Sequence, residues 1–257
     1  MFTRLSRYAL GAALSVASSG IFAGVVFTDS TFNLAGYSTT PTFMTPFVTL
    51  TSGQCPSCGN PGFGLQIAVN FPTVAGGLGD IGFVNNAFIY DPGTQGAISS
   101  IGAQVDKNLL IDIENTNGVG IGTTFGNTFR PLISQGGIYY LAAIPGPGIP
   151  GPTASGSFSG STGYLTLSQA GLLATNFTQY DFATNVFGIA HPNFANGVLS
   201  FGLGQISSVG PGFTNETTTA RYDNLRFNVA SVPEPGTLAL FGFALVGVFA
   251  MRRWRFA

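Results

Sequence analysis

The sequence predicts an all-β protein built as an antiparallel β-sandwich. Of its 257 residues, 37 are glycine and 15 proline. Inside a helix each glycine costs about 1 kcal/mol and each proline about 3 kcal/mol relative to alanine, so long helices are disfavoured. Apolar residues make up 45% and aromatics 13%, which is enough to fill a core and unlike a disordered chain. Between residues 24 and 230 the apolar runs are short and separated by clusters of Gly, Pro, Asn and Ser, the spacing of many brief strands joined by turns.

The first element is a removable leader over residues 1–23. Arg4 and Arg7 precede the uncharged stretch Tyr8 to Gly20, a charged region followed by an apolar one too short to span a bilayer, which needs about 20 helical residues. Ala23 offers a small residue before the cut. The body, 24–230, is expected to hold strands at Phe43–Thr51, Phe63–Phe71, Ile81–Tyr90, Ala97–Glu114, Phe129–Ile144, Val198–Ile206 and Ala220–Val229. Gln135-Gly136-Gly137 should close a hairpin, because glycine supplies the positive φ of a tight turn. In the last strand Tyr222, Asn224, Arg226 and Asn228 alternate with Leu225, Phe227 and Val229, which predicts one wet and one dry face. A short helix is expected near Leu167 to Thr175. The Pro/Gly run from Ile144 to Pro152 reads as a single exposed loop within one domain.

The last element is a tail over 231–257. Val232-Pro233-Glu234-Pro235 is followed by an apolar run, 237–251, and then by Arg252-Arg253-Trp254-Arg255. The prolines keep the start extended, and the run is expected to form a single transmembrane helix that is marginal in length, about 22 Å at 1.5 Å per residue. Arg252, Arg253 and Arg255 would stay on the cytoplasmic side and leave the body on the far side of the membrane.

This tail resembles the PEP-CTERM sorting domain of bacteria that build extracellular polysaccharide. The resemblance implies that an exosortase, a membrane protease-transpeptidase, processes the chain near Pro233-Glu234-Pro235. The body would be exported by the secretion machinery, held transiently at the inner membrane, and then released or attached to the surface or the exopolysaccharide matrix. The body itself resembles the jelly-roll or concanavalin-like sandwiches of such exported proteins, through Gly59-Asn60-Pro61-Gly62 ahead of a strand and Tyr222-Asp223-Asn224-Leu225 ahead of the tail.

Charge excludes one class of partner. Only 7% of residues are charged, and five of the nine basic ones lie in the two terminal segments, which leaves Lys107, Arg130, Arg221 and Arg226 against ten acids. Nothing there can neutralise a phosphate backbone, so no nucleic acid is expected as a partner.

The remaining motifs offer little catalysis. Cys55-Pro56-Ser57-Cys58 sits in a Gly/Pro-rich stretch of an exported chain without further zinc ligands and reads as a small-loop disulfide. Asp112 and Glu114, two residues apart in Leu110-Ile111-Asp112-Ile113-Glu114, share one strand face. They look like part of the acidic signature of jelly-roll β-glucanases, but Leu110 stands where that signature has its nucleophilic carboxylate, which argues against a glycoside hydrolase. The alternatives are a solvated strand face or, with Asp106, Asn108, Asn115 and Asn117, the oxygen donors of a structural calcium ion. No other cofactor is expected. His191 has Asp181 upstream but no G-x-S-x-G elbow, and reads as a loop histidine. Gly77-Leu78-Gly79-Asp80-Ile81-Gly82 fits G-x-G-x-x-G by chance in so glycine-rich a chain. The expected function is thus a non-catalytic surface or matrix protein. The alternative is a carbohydrate-binding module using Tyr139, Tyr140, Tyr164, Tyr180 and Asn185.

Overall fold

Large apolar side chains alternating with Ser, Thr, Asn and Gly turn most of the body into strands with one core-facing side. The structure, a computed structural model, describes residues 24–72, 75–112, 125–143, 164–212 and 216–232. In chain order the strands are β1 (Val25–Asp29), β2 (Tyr37–Thr39), β3 (Phe43–Met44), β4 (Thr49–Gly59), β5 (Gly62–Phe71), β6 (Gly77–Tyr90) and β7 (Ile98–Asp112). They are followed by β8 (Phe125–Gln135), β9 (Ile138–Ala142), β10 (Leu165–Leu172), β11 (Phe177–Asp181), β12 (Val186–Phe187), β13 (Leu199–Val209) and β14 (Glu216–Ser231). The one α-helix among the described residues is a single turn, Pro92–Gln95. The expected all-β antiparallel sandwich is therefore the fold.

One sheet runs β10-β7-β14-β5-β4 and the other β12-β11-β9-β8-β13-β6-β2. The long strand β14 has β7 along one side and is shared on the other: residues 216–222 pair with β5 and residues 225–229 with β1. The inner faces meet in a core that includes Leu65, Ile67, Ile101, Val105, Leu203 and Leu225. Four phenylalanines tie the layers together. Phe27 and Phe227 from the first sheet interleave with Phe88 and Phe201 from the second, at ring-centroid separations of 5.2 to 6.3 Å. Such spacings allow offset and edge-on aromatic contact.

The second sheet also buries part of its outer face. Phe182, in the loop after β11, lies against Leu132, Leu141, Val84 and Tyr180. Gly82 makes room for it, since a Cβ there would sit 2.9 Å from the Phe182 ring.

Three expectations are corrected. Phe43–Thr51 is not one strand: Phe47, at φ 72°, and Pro46 break it into β3 and the start of β4. The helix near Leu167 to Thr175 is instead strand β10 followed by a 3-10 turn, Ala174–Asn176. There Leu167, Gln169 and Leu172 are buried, and the register shift between Gln169 and Leu172 hides the period of two. Third, Tyr222 is fully buried rather than on the wet face. A bulge between Asp223 and Arg226, with Asn224 at φ 51°, switches the inward phase from Ala220 and Tyr222 to Leu225 and Phe227. The β8–β9 hairpin does close on Gly136 and Gly137, at φ 60° and 81°. This is the doubly left-handed turn that matches strand twist.

Candidate functional site

Two of the candidate calcium donors, Asp106 and Asp112, stand well apart. Asp106 and Asp112 lie on the same strand, β7, six positions apart, which at about 3.3 Å per residue separates them by about 20 Å. Oxygen ligands of one calcium ion sit about 2.4 Å from it, so one ion cannot take both. Glu114 lies outside the described residues. Among the described residues no cluster of three or more Asp, Glu, His or Cys is placed to hold a metal.

Asp106 instead belongs to a latch. It is buried; Oδ1 accepts from the Thr166 hydroxyl at 2.6 Å and Oδ2 from Asn224 Nδ2 at 2.8 Å. Asn224 Nδ2 also donates to the Asn60 carbonyl at 3.0 Å, and the Asn60 backbone N–H donates to the Asp223 carboxylate. The tip of the β4–β5 hairpin is thereby fastened onto the β14 bulge. Burial pushes the Asp223 carboxyl above the usual carboxylate range. The two cysteines shape the same tip. Between the pairs Cys55–Gly64 and Gly59–Gly62 the residues Pro56, Ser57 and Cys58 leave the ladder, and Cys55 and Cys58 are joined across the gap with their Cα atoms 5.5 Å apart. The Tyr164 hydroxyl donates to the Cys58 carbonyl.

His191 is not part of a triad. Its Nδ1 lies 2.6 Å from the Phe177 carbonyl, while Asp181 caps a turn through Ala183 N–H and Thr184. The tyrosines suggested as sugar platforms are mostly committed elsewhere. Tyr140 and Tyr180 are buried. The Tyr180 hydroxyl reaches the Asp80 carboxylate and lies 2.6 Å from Asn185 Oδ1. Burial raises the Asp80 carboxyl to about 6. The Gly77–Gly82 motif lies within β6, so it forms no loop around a phosphate.

A polar group that the motifs did not reveal lies between the sheets. Lys107 is 1% exposed; its Nζ donates to both the backbone carbonyl and Oδ1 of Asn127, each at 2.6 Å, and lies 5.5 Å from the centre of the Tyr222 ring. Asn127 Nδ2 donates to Ser207 Oγ at 3.0 Å, which also accepts from Gln205 Nε2 at 2.8 Å. Burial pushes the Lys107 amine down to about 7. The signal for this placement was present: Lys107 continues the inward phase of Ile101, Ala103 and Val105. Asn127 was harder to find, because it precedes the apolar run that marked β8.

At one end of the sandwich, β14 leads directly into Val232, whose N–H donates to the Ala97 carbonyl at 2.7 Å. Val25 pairs with Val229, so the body's first described strand begins beside the point where the tail leaves. Residues 231–253 match the family described as the PEP-CTERM protein-sorting motif. The chain carries a PEP-CTERM sorting signal. That PEP-CTERM segment starts at the last residue of β14, and Pro233, Glu234, Pro235, the 237–251 run and Arg252, Arg253 and Arg255 lie outside the described residues, as do residues 1–23, where a leader is expected.

No curated protein matches the chain in sequence. In shape it is similar to the family 11 carbohydrate-binding module of the cellulosomal cellulase Lic26A-Cel5E of Clostridium thermocellum, at TM-score 0.39 and 8% identity over 82% of this chain and 98% of that one. It is likewise similar to the family 11 module from the same organism in complex with a β-1,3-1,4-mixed-linked tetrasaccharide, at TM-score 0.38 and 9% identity over 84% and 99%.

Proposed function

We propose that this chain is an exported, non-catalytic surface or matrix protein whose tail is processed by an exosortase. The observation that carries the reading is the PEP-CTERM match over 231–253, which begins where the final strand ends. In this reading residues 1–23 are a signal peptide, the secretion machinery exports residues 24–230, and the 237–251 helix holds the precursor in the inner membrane with its arginines on the cytoplasmic side. The body folds as a jelly-roll-like sandwich. Cutting near Pro233-Glu234-Pro235 would leave β14 whole, because Ser231 is its last residue. The small-loop disulfide Cys55–Cys58 fits an oxidising compartment.

The test compares producing cells with and without a functional exosortase. Cell fractionation and mass spectrometry of the C-terminus should find the full tail in the membrane fraction without the enzyme, and a C-terminus near Pro233-Glu234-Pro235 outside the membrane with it. The same C-terminus in both strains would reject the reading. Selective retention of the chain by one sugar on a glycan array would replace the scaffold role with that of a carbohydrate-binding module, with exopolysaccharide as the partner.

A further inference from the structure

The end of the sandwich from which the tail leaves carries exposed aliphatic side chains. From the first sheet these are Leu173, just past β10, and Val232, just past β14; from the second they are Ile89 near the close of β6, Val198 ahead of β13 and Ile138 at the β8–β9 turn. All five are 40 to 51% exposed. Strand pairing brings them to the same end. Leu199 faces both Tyr90 and Gln135, and Leu172 pairs with Ile101, which also pairs with Val229. The Ile98 N–H donates to the Phe194 carbonyl at 2.8 Å, which ties β7 to the loop leading into β13. No basic residue of the body lies there: Arg226 pairs with Thr28, Arg130 with Gly204, Lys107 with Tyr222 and Arg221 with Gln66, all well inside their sheets. Of the acids near this end, Asp91 caps the Pro92–Gln95 turn and Asp181 caps the turn after β11.

Covalent geometry limits how far this surface can stand from a membrane. Only residues 233–236 separate Val232 from the apolar run that begins at Thr237, and a fully extended chain covers about 18 Å between those two Cα atoms. As a helix the run measures about 22 Å, about 8 Å short of a typical hydrocarbon core. With Arg252, Arg253 and Arg255 held at the cytoplasmic face, that shortfall draws the outer end of the run, and the linker with it, toward the lipid. We infer that in the uncut precursor this end of the sandwich rests on the bilayer, with Ile89, Ile138, Leu173, Val198 and Val232 in the interfacial layer. The inference rests on the tail being the membrane anchor proposed above. Burial of apolar surface supplies the attraction, so zwitterionic lipid suffices. Docking keeps Pro233-Glu234-Pro235 at the bilayer surface, where a membrane protease can meet it. From Leu199 at the docked end, β13 runs about 33 Å to Val209 at the free end. Phe47 belongs to the free end, since the Thr45 N–H donates to the Leu78 carbonyl and Gly77 pairs with Val209.

Nitroxide depth measurements test the docking. Cys55 and Cys58 are joined to each other, so an introduced cysteine is the one labelling site in the full, uncut chain. Ile138→Cys, Leu173→Cys and Val198→Cys report on the docked end, Phe47→Cys on the free end and Ala244→Cys on the apolar run. Each labelled chain is reconstituted at low density into phosphatidylcholine vesicles, and relaxation of the label by lipid-soluble oxygen is compared with relaxation by a water-soluble nickel chelate. The expected oxygen-to-nickel ratio at 138, 173 and 198 is several-fold higher than at 47. Nickel access at those three positions equal to that at 47, with the label at 244 still shielded, would overturn the inference and leave the anchor standing. A label at 244 open to nickel would remove the anchor and the docking together. Spin–spin broadening at 198 that persists on dilution with lipid would give the surface to a second copy of the chain, and so would also overturn the inference.

Discussion

Phe201 shows how a single side chain joins the two layers. It is fully buried on β13 and stacks on Phe227 of the opposite sheet at 5.2 Å, with Phe27 at 5.7 Å on its other flank. Its neighbours are large and backbone-held, so the site cannot collapse around a small residue. Phe201→Ala should therefore cost about 3–5 kcal/mol, seen in urea unfolding followed by far-UV circular dichroism. Phe47, which is 75% exposed, provides the contrast, since Phe47→Ala removes little buried area. A change there larger than about 1 kcal/mol would contradict the packing argument.

The β14 bulge organises the first sheet at the level of the element. Asn224 takes the left-handed conformation that few side chains adopt readily, and its amide fastens the β4–β5 tip through Asn60 and Asp106. A valine there loses both hydrogen bonds and adds β-branched strain, whereas a glycine keeps the backbone and loses only the latch. Asn224→Val should destabilise by about 2–4 kcal/mol and Asn224→Gly by about half as much, a ranking that thermal melts of the two chains would test. The same bulge marks the limit of what could be read from the sequence. Composition and period-two runs located β5, β7, β13 and the β8–β9 hairpin, because each keeps one inward phase or ends on a Gly-Gly turn. They misplaced Tyr222 and turned β10 into a helix, because a bulge inserts a residue and shifts the phase, so three- and four-residue spacings appear in a strand. The latch was hidden for another reason. Asn60, Asp106 and Asn224 are far apart in sequence and meet only through strand pairing, while Asp106 and Asp112, close in sequence, are held apart by the extended strand.

The whole molecule's response to pH follows from which acids its folding buries. Asp80 lies in the second sheet beneath Tyr180 and the Phe43 N–H, and burial lifts its carboxyl to about 6 in the folded chain, against 3.8 when unfolded. Asp223, beneath the latch, is raised in the same direction. A raised acid keeps its proton longer in the folded state. Its contribution to stability is therefore complete below about pH 4 and is lost as the pH climbs through about 6. Asp181, held low by Thr184 and the Ala183 N–H, works in the opposite sense but titrates below that interval. Lys107, which burial lowers to about 7, titrates above that interval and leaves the window undisturbed. The melting temperature should accordingly fall between pH 4 and pH 6.5, the reverse of ordinary acid destabilisation. Asp80→Asn preserves an oxygen for the Phe43 N–H and removes the titration, so it should flatten most of that slope in scanning calorimetry. A wild-type melting temperature that rises steadily over the same interval would mean that Asp80 is ionised in its buried site.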